Sequence, residues 1–312
     1  MIGKKTLDSR LKLSAEVSAA VRSRGAIVAL ESTIIAHGMP YPQNAATARQ
    51  VEAIVREAGA VPATIAILDG AVKVGLTDGE LESLARAGSI ARKVSTRDIA
   101  YALAGKLTGA TTVAATMRLA AMAGIAVFAT GGIGGVHRGA ERSFDVSADL
   151  TEIAQSNVAV VTAGAKAMLN RALTLEKLET LGVPVIGYST DEFPAFYSRE
   201  SGCAVAMRCD TAAEVAAVMH AKWSMGLHGG IVVANPIPEG AEIPAGEINP
   251  AIEAALDRAE EKNIRGKDVT PFLLAEIARV TEGRSLEANI ALIKNNARVA
   301  ADIAIQYAKG TS

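Results

Sequence analysis

Cysteines and aromatic residues are scarce in this chain, and neither charge sign is in clear excess. There are two cysteines among 312 residues, aromatic residues make up 4%, and the formal net charge is −1. Cys203 and Cys209 cannot build a disulfide framework and lack the CxxC spacing of metal sites, so we expect a reducing cytoplasm. Without a basic excess, neither nucleic acid nor an anionic membrane is expected as a partner.

We also expect neither a membrane span nor an export signal. The positively charged start of the chain is not followed by the apolar core of a signal peptide. One uncharged run of 18 residues, Leu119 to Val136, is long enough to suggest a membrane span. It contains Thr130 and five glycines, however, and it divides into a helix end and a short strand. We therefore predict a buried helix followed by a buried strand.

Short, continuous apolar runs alternate with helix-like segments along most of the chain. Half of the residues are hydrophobic, which is ample for a large core. Continuous apolar strands are typical of a parallel sheet covered on both faces. The pattern predicts an α/β fold, a three-layer α/β/α sandwich with a mostly parallel central sheet. No linker or repeat divides it, so we expect one catalytic domain over residues 1–312, with a helical C-terminal segment at about 248–310.

Polar side chains follow the apolar strands where those strands end. Glu31, Thr130, Lys166 and Asn235 each terminate such a run, and Lys93 lies within a short strand. Ligands of open α/β sheets bind beyond the carboxyl ends of the strands. If the sheet is parallel, these strand ends share one crevice.

Two of these residues have chemistry that burial would favour. Burial disfavours the charged ammonium form of a lysine, so a buried Lys166 would be suited to nucleophilic attack or Schiff-base formation. The alternative is that Lys166 extends its side chain to solvent. A buried carboxyl group would suit Glu31 to general acid catalysis, and hydrogen bonding to nearby backbone amides is the alternative.

The stretch from Val127 to Lys166 concentrates glycines and ionisable groups behind a strand. The strand is followed by four glycines, Gly131, Gly132, Gly134 and Gly135. These glycines would allow a ligand to approach the backbone closely. The alternative is that they form only a tight connection. His137 and Arg138 follow and, with Lys93, could hold a phosphate.

Carboxylates follow this glycine block. Asp145 is followed four residues later by Asp149, and Mg²⁺ or Mn²⁺ often uses one or two protein carboxylates. The block is neither a Walker loop nor a dinucleotide fingerprint.

Several long motifs resemble the pseudouridine-5′-phosphate glycosidase family, also called the indigoidine synthase A-like family. The resemblance runs over nearly the whole chain and is carried by ALESTIIAHGMPYPQN, PATIAILDGAVKVGL, VFATGGIGGVHRGAERSFDVSADL, VTAGAKAML, GGIVVANPIPE and TPFLLAEIARVTEGRSLEANIALIKNNA. It implies an α/β/α fold, a homotrimer and reversible cleavage of pseudouridine 5′-phosphate to uracil and ribose 5-phosphate. Some members carry a fused sugar kinase, and we expect none within these 312 residues.

The resemblance also implies roles for individual residues. Lys166 matches the family's covalent nucleophile and Glu31 its proton donor, acting through a ring-opened Schiff-base adduct. Asp145 matches the ligand of one divalent metal ion per subunit, most plausibly Mn²⁺. Substrate contacts are implied at Lys93, Val113, Thr130, His137, Ser147, Ala148, Asp149 and Asn289.

Two other functions stay open on the residues alone. A Schiff-base sugar-phosphate aldolase or lyase would also need a buried lysine and a phosphate site. A non-catalytic nucleotide-binding accessory protein of pigment biosynthesis would have no use for Glu31, Asp145 and Lys166 together.

Overall fold

A computed structural model of the protein describes residues 10–264, 266 and 269–310. Its strands are β1 Leu11–Leu13, β2 Ile27–Leu30, β3 Val61–Leu68, β4 Ala71–Val74, β5 Arg92–Val94, β6 Gly109–Thr111, β7 Val127–Ala129, β8 Ala159–Thr162, β9 Val185–Tyr188, β10 Met207–Cys209 and β11 Ile231–Ala234. Five of them, β2, β6, β7, β8 and β11, are short and fully buried, as expected of strands covered on both faces.

Helices fill most of the connections between strands. They are α1 Ala15–Ser23, α2 Thr33–His37, α3 Gln43–Glu57, α4 Asp78–Ala87, α5 Ile99–Ala104, α6 Val113–Ala123, α7 Ala140–Ser143, α8 Ala148–Gln155, α9 Arg171–Thr180, α10 Ala212–Ser224, α11 Ala245–Glu261, α12 Val269–Val280 and α13 Arg284–Gly310. No helix in the described part of the chain has the length and apolar character needed to span a bilayer.

The strands form one mixed sheet in the order β1-β4-β3-β2-β7-β8-β11-β9-β10, with β6 pairing with both β3 and β5. Every pairing is parallel except those of β3 with β4 and with β6. The β3–β4 pair is a hairpin that turns at Asp69 and Gly70, both of which have positive φ. The predicted α/β class with a mostly parallel sheet is confirmed.

Two helical layers cover the sheet. On one side α13 packs between α3 and α10 and runs along β2, β7 and β8. On the other side α6 packs against α8 and lies along β2, β3 and β4. The central strands β2, β7 and β8 are therefore enclosed, and their carboxyl ends are held at one edge of the sandwich.

Polar residues cap several helix starts, but Asn44 has a different role. Thr77 caps α4 and Ser147 caps α8. Asn44 does not cap α3, because that helix begins one residue earlier, at Gln43. Its side-chain amide donates instead to the carbonyl oxygens of Ile35 and Ala85, at 2.7 and 3.0 Å. Asn44 thus joins three helices rather than capping one.

A buried amide pair connects α13 to the edge of the sheet and corrects the prediction made for Asn235. The Asn235 amide nitrogen donates to Asn296 Oδ1 at 2.9 Å, and Asn296 donates to the Thr130 carbonyl oxygen at 2.7 Å. Asn235 was expected to share the ligand crevice. Both asparagines are buried, and Asn235 is instead engaged by α13.

We predict that Asn296→Ala lowers the free energy of unfolding by about 2–3 kcal/mol, because it leaves buried polar groups of Asn235 and Thr130 without partners. Urea denaturation measures this change. Asn295→Ala is the control, since that side chain makes one partly buried bond to the Pro236 carbonyl oxygen and we expect a loss of about 1 kcal/mol. Equal losses of unfolding free energy in Asn296→Ala and Asn295→Ala would contradict the role assigned to the Asn235–Asn296 pair.

Candidate active site

A cavity of about 220 Å³ opens where the central strands end. It lies at the predicted edge of the sheet, because its wall contains residues that follow β2, β7 and β8. Nine of the residues predicted for the site line it: Glu31, Lys93, Val113, His137, Ser147, Ala148, Asp149, Lys166 and Asn289. Thr130 lies behind the wall, and Asp145 is not among the residues that form it.

Glu31 is the buried acid of the site. It follows β2, and its side chain accepts hydrogen bonds from the hydroxyls of Thr130 and Thr33, one on each carboxylate oxygen. Burial raises the pKa of Glu31 above its ordinary value, although the nearby Lys166 and the Thr130 hydroxyl act in the opposite direction. The carboxyl group is therefore held in a position and an environment that favour proton donation.

Lys166 lies in a turn between β8 and α9. Its N–H donates to the Ile133 carbonyl oxygen at 3.0 Å, and its own carbonyl accepts from Leu169 N–H at 2.9 Å. Just before it, Gly164 has a φ of +94°, and a Cβ there would lie 2.2 Å from the Pro194 carbonyl oxygen. This turn directs a partly buried lysine into the cavity wall, within electrostatic range of Glu31.

The glycines of the loop after β7 are needed for close packing rather than for unusual backbone angles. Gly131, Gly132, Gly134 and Gly135 do not have positive φ. A Cβ on Gly134 would lie 2.2 Å from Ser147 Oγ, and one on Gly132 would lie 2.5 Å from the Phe196 ring. Any side chain at these two positions would therefore displace a wall of the cavity.

Asp149 holds two walls of the cavity together. Its carboxylate accepts hydrogen bonds from the Ala114 N–H of α6 at 2.9 Å and from the Gly134 N–H at 2.7 Å. Both oxygens of the 6% exposed carboxylate are thus used by backbone amides. This pairing argues against the Asp145–Asp149 metal pair considered from the sequence.

Two helix N-termini and a lysine form a cationic end of the cavity. Val113 is the first residue of α6 and Ala148 the first of α8. Lys93 on β5 lies beside them, because the N–H of Thr112, the cap of α6, donates to the Val94 carbonyl oxygen at 2.9 Å. Helix N-termini bind anions through their free N–H groups and dipoles. This end of the cavity is therefore suited to an anion.

His137 and Asp145 lie together at the margin of the site. The His137 N–H donates to the Asp145 carbonyl oxygen at 3.0 Å, and His137 Nδ1 lies 3.9 Å from Asp145 Oδ2. Burial lowers the pKa of His137 against the opposing effect of Asp145. Arg138, which the sequence placed at the phosphate, instead pairs with Glu253 at 2.6 Å.

The donor set at this margin fits a largely hydrated divalent ion. About half of the Asp145 side chain is exposed, and it can offer its oxygens to an ion that retains several waters. No group of three or more His, Cys, Asp or Glu residues in the described ranges could enclose a metal.

Sequence reasoning missed several residues of the wall. Thr33 binds Glu31, while Phe196 and the α12 residues Thr270, Pro271 and Leu274 line the cavity. Thr33 lies two residues after Glu31, close enough to have been considered with it. Phe196 and α12 are distant in the chain, and no local pattern relates them to the other site residues.

Comparison with known proteins decides the family. The sequence model of the family described as "indigoidine synthase A like protein" matches residues 16–306 of this chain. The chain belongs to the indigoidine synthase A-like family. The resemblance inferred from the sequence motifs is therefore confirmed.

Curated relatives of this family carry an enzyme name. A protein of Nocardioides is 60% identical over 96% of this chain and 97% of its own length, and one of Escherichia coli K12 is 56% identical over 95% of each. Both are called pseudouridine-5′-phosphate glycosidase. At this similarity the predicted assignment of the chain as an enzyme is confirmed.

Solved structures of this family have the same fold. A prealnumycin C-glycosynthase in complex with ribulose 5-phosphate superposes with a TM-score of 0.89 at 40% identity, covering 97% of this chain and 99% of its own. An indigoidine synthase A-like protein of Thermotoga maritima gives a TM-score of 0.86 at 39% identity, covering 96% of each chain.

The buried Glu31 predicts a stability effect with a definite sign. Burial raises the pKa of Glu31 in the folded protein above its value in the unfolded chain. The contribution of Glu31 to the free energy of unfolding is therefore fully present below the unfolded-state pKa and is lost as pH rises through the folded-state pKa. We expect Glu31→Gln to raise the thermal midpoint of unfolding by about 2–4 °C at pH 8. The variant removes a buried carboxylate whose charge lowers the free energy of unfolding by about 1 kcal/mol at that pH. The gain should vanish near pH 4 in calorimetric scans.

Glu192→Gln is the control, because we expect its effect on stability at pH 8 to have the opposite sign. Glu192 accepts from the N–H groups of Ser201 and Gly202, at 2.7 and 2.9 Å, and these bonds lower its pKa. The variant should lose stability at pH 8 and approach the wild type as pH falls through the lowered pKa. If Glu31→Gln also loses stability at pH 8, the buried carboxylate is not the costly group described above.

Proposed function

We propose that this protein cleaves the carbon–carbon glycosidic bond of pseudouridine 5′-phosphate reversibly, giving uracil and ribose 5-phosphate. The observation that carries the proposal is the shared cavity, in which the amine of Lys166 and the buried acid Glu31 lie near a cationic pocket. The names of the curated relatives support the substrate, and the solved glycosynthase complex with ribulose 5-phosphate supports a pentose phosphate ligand.

The cationic end of the cavity would hold the 5′-phosphate. Lys93 supplies a charge, and the N-termini of α6 and α8, at Val113 and Ala148, supply backbone donors. Binding energy from this remote group can orient the ribose against the catalytic groups.

Ring opening is the first chemical step. The unprotonated Lys166 Nζ attacks C1′, the C1′–O4′ bond breaks, and Glu31 gives its proton to O4′. The Lys166 nitrogen then loses a proton, which the Glu31 carboxylate accepts. The two threonine hydroxyls on Glu31 fix its direction throughout and stabilise the carboxylate form when it appears.

Carbon–carbon cleavage follows from the open-chain adduct. Glu31, which holds the proton that it took from the Lys166 nitrogen, donates it to uracil C5. The C1′–C5 bond breaks as the Lys166 nitrogen shares its lone pair with C1′ and forms an iminium ion. Uracil leaves, and water then hydrolyses the iminium to release Lys166 and open-chain ribose 5-phosphate. A carbon leaving group needs this electron donation from nitrogen, which paired carboxylates alone would not supply.

A divalent ion, Mn²⁺ by the family resemblance, would be held by Asp145 with waters, close to His137. When bound it would supply positive charge that orients the anionic substrate. His137, whose pKa is lowered by burial, would face the substrate as a neutral hydrogen-bonding group.

An aldolase-like lyase remains the second candidate, because the same lysine and phosphate pocket would serve it. The homotrimer and the cytoplasmic location expected from the sequence likewise remain proposals. Analytical ultracentrifugation of the purified protein tests the trimer.

We predict that the lysine can be trapped covalently. Reduction with borohydride in the presence of ribose 5-phosphate should add one pentose phosphate per chain, located on Lys166 by peptide mass mapping. Lys166→Ala should not label and should lose at least about 10³-fold in kcat, a loss typical of a missing nucleophile. Lys222→Ala is the control, since this partly buried lysine donates to the His228 carbonyl oxygen outside the cavity.

The substrate is tested separately by ultraviolet absorbance and product analysis with pseudouridine 5′-phosphate. Release of uracil supports the glycosidase. A trapped adduct on Lys166 without uracil release would favour the aldolase, and no adduct in the wild type would eliminate the covalent mechanism.

We also predict that Asp145→Asn weakens binding of Mn²⁺ by about 10-fold or more, since one anionic ligand is lost. Electron paramagnetic resonance of free Mn²⁺ in a titration measures this without using activity. Asp210→Asn, a change at an exposed aspartate paired with Arg208, should leave binding unchanged. Unaltered Mn²⁺ affinity in Asp145→Asn would remove this residue from the metal site.

A further inference from the structure

Phe196 has a backbone conformation that bulky side chains rarely adopt. Its φ is +71°, in the left-handed region, yet the residue is 2% exposed and lines the active-site cavity. Strained non-glycine residues persist where the surrounding structure fixes them, and they cluster at ligand sites. The position of this ring therefore calls for an explanation beyond core packing.

Three contacts fix the ring against the catalytic segments. The Phe196 N–H donates to the Ala163 carbonyl oxygen at 3.1 Å, three residues before Lys166. One ring edge lies against Gly132, where a Cβ would come within 2.5 Å. Tyr197 packs edge-to-face, with ring centroids 4.8 Å apart at 82°. The ring is thus held at a set position relative to the nucleophile.

The glycine loop separates two chemically different ends of the cavity. At Gly134 the loop meets Ser147 and Asp149, next to the two helix N-termini. At Gly131 it meets Asn289 Oδ1 and the Phe196 ring, which lie 3.2 and 3.9 Å from the position of a Cβ on that glycine. One end is therefore suited to an anion, and the other presents an aromatic ring beside an amide.

The second end has the character of a site for a planar, hydrogen-bonding heterocycle. Pro271 and Leu274 of α12 add apolar surface there, and Phe196 is the only Phe, Tyr or Trp among the described residues that line the cavity. Aromatic side chains bind nucleobases through their faces, while an amide can pair with the base edge.

We infer that Phe196 determines specificity for the base, with its ring packed against the pyrimidine of the substrate while Lys93 and the helix N-termini hold the phosphate. The inference rests on the proposed function, because it assigns the base to one end of that same cavity. The strained backbone and the missing side chain at Gly132 are then both explained, since each is required to place the ring there.

The test separates the two halves of the substrate. In the synthetic direction, Phe196→Leu should raise KM for uracil about ten-fold, as expected for loss of base stacking. Borohydride trapping of ribose 5-phosphate on the enzyme should be unchanged, because the sugar half does not need the ring. Phe193→Leu is the matched control: Phe193 is a fully buried aromatic three residues away that does not line the cavity, and its KM for uracil should be unaltered.

A second variant tests the role of the Phe196 ring through Gly132, the residue that packs against it. Gly132→Ala should displace the ring and raise KM for uracil while trapping with ribose 5-phosphate persists, even if Phe196→Leu folds poorly. Unchanged KM for uracil in both variants, or an equal loss of uracil binding and sugar trapping, would overturn the assignment. Failure of the wild type to trap ribose 5-phosphate would instead overturn the proposed function, so the two failures are distinguishable.

Discussion

A carboxyl group buried at the end of a strand is the constraint on which the site depends. Glu31 sits among apolar strands where an unsupported charge would be costly, and two threonine hydroxyls together with nearby lysines offset that cost. The threonines come from different elements, Thr33 from α2 and Thr130 from the end of β7. The acid can keep its position only if β2 and β7 are paired in register, which the parallel sheet provides.

The same edge of the sheet requires that backbones approach one another closely. The loop after β7 passes between α8 and the segment around Phe196, and its glycines leave room for both. Asp149 joins this loop to α6 through two backbone amides, which ties the helix N-termini to the glycine loop. Beyond them, Asn296 on α13 holds the Thr130 carbonyl from the opposite side. The contacts that hold the candidate site in place are therefore also contacts of the core.

Much of the fold was predictable because it depends on local patterns. Continuous apolar runs indicated the strands, and polar residues at their ends indicated a shared edge, which placed Glu31 and Lys166 in one cavity. Asn235 was assigned wrongly to that cavity because its partner, Asn296, lies 61 residues away and no local pattern connects them. Phe196 was missed for a similar reason, since it lies in an irregular segment without periodicity. The roles of the individual site residues came from the family resemblance.

A crystal structure of the protein with ribose 5-phosphate is the measurement that tests the central claim most directly. The account predicts continuous electron density from Lys166 Nζ to carbon 1 of an open-chain pentose, with the phosphate at the N-termini of α6 and α8 beside Lys93. Glu31 should lie within hydrogen-bonding distance of the O4 hydroxyl. A closed-ring sugar without a bond to Lys166, or a phosphate bound elsewhere, would contradict it.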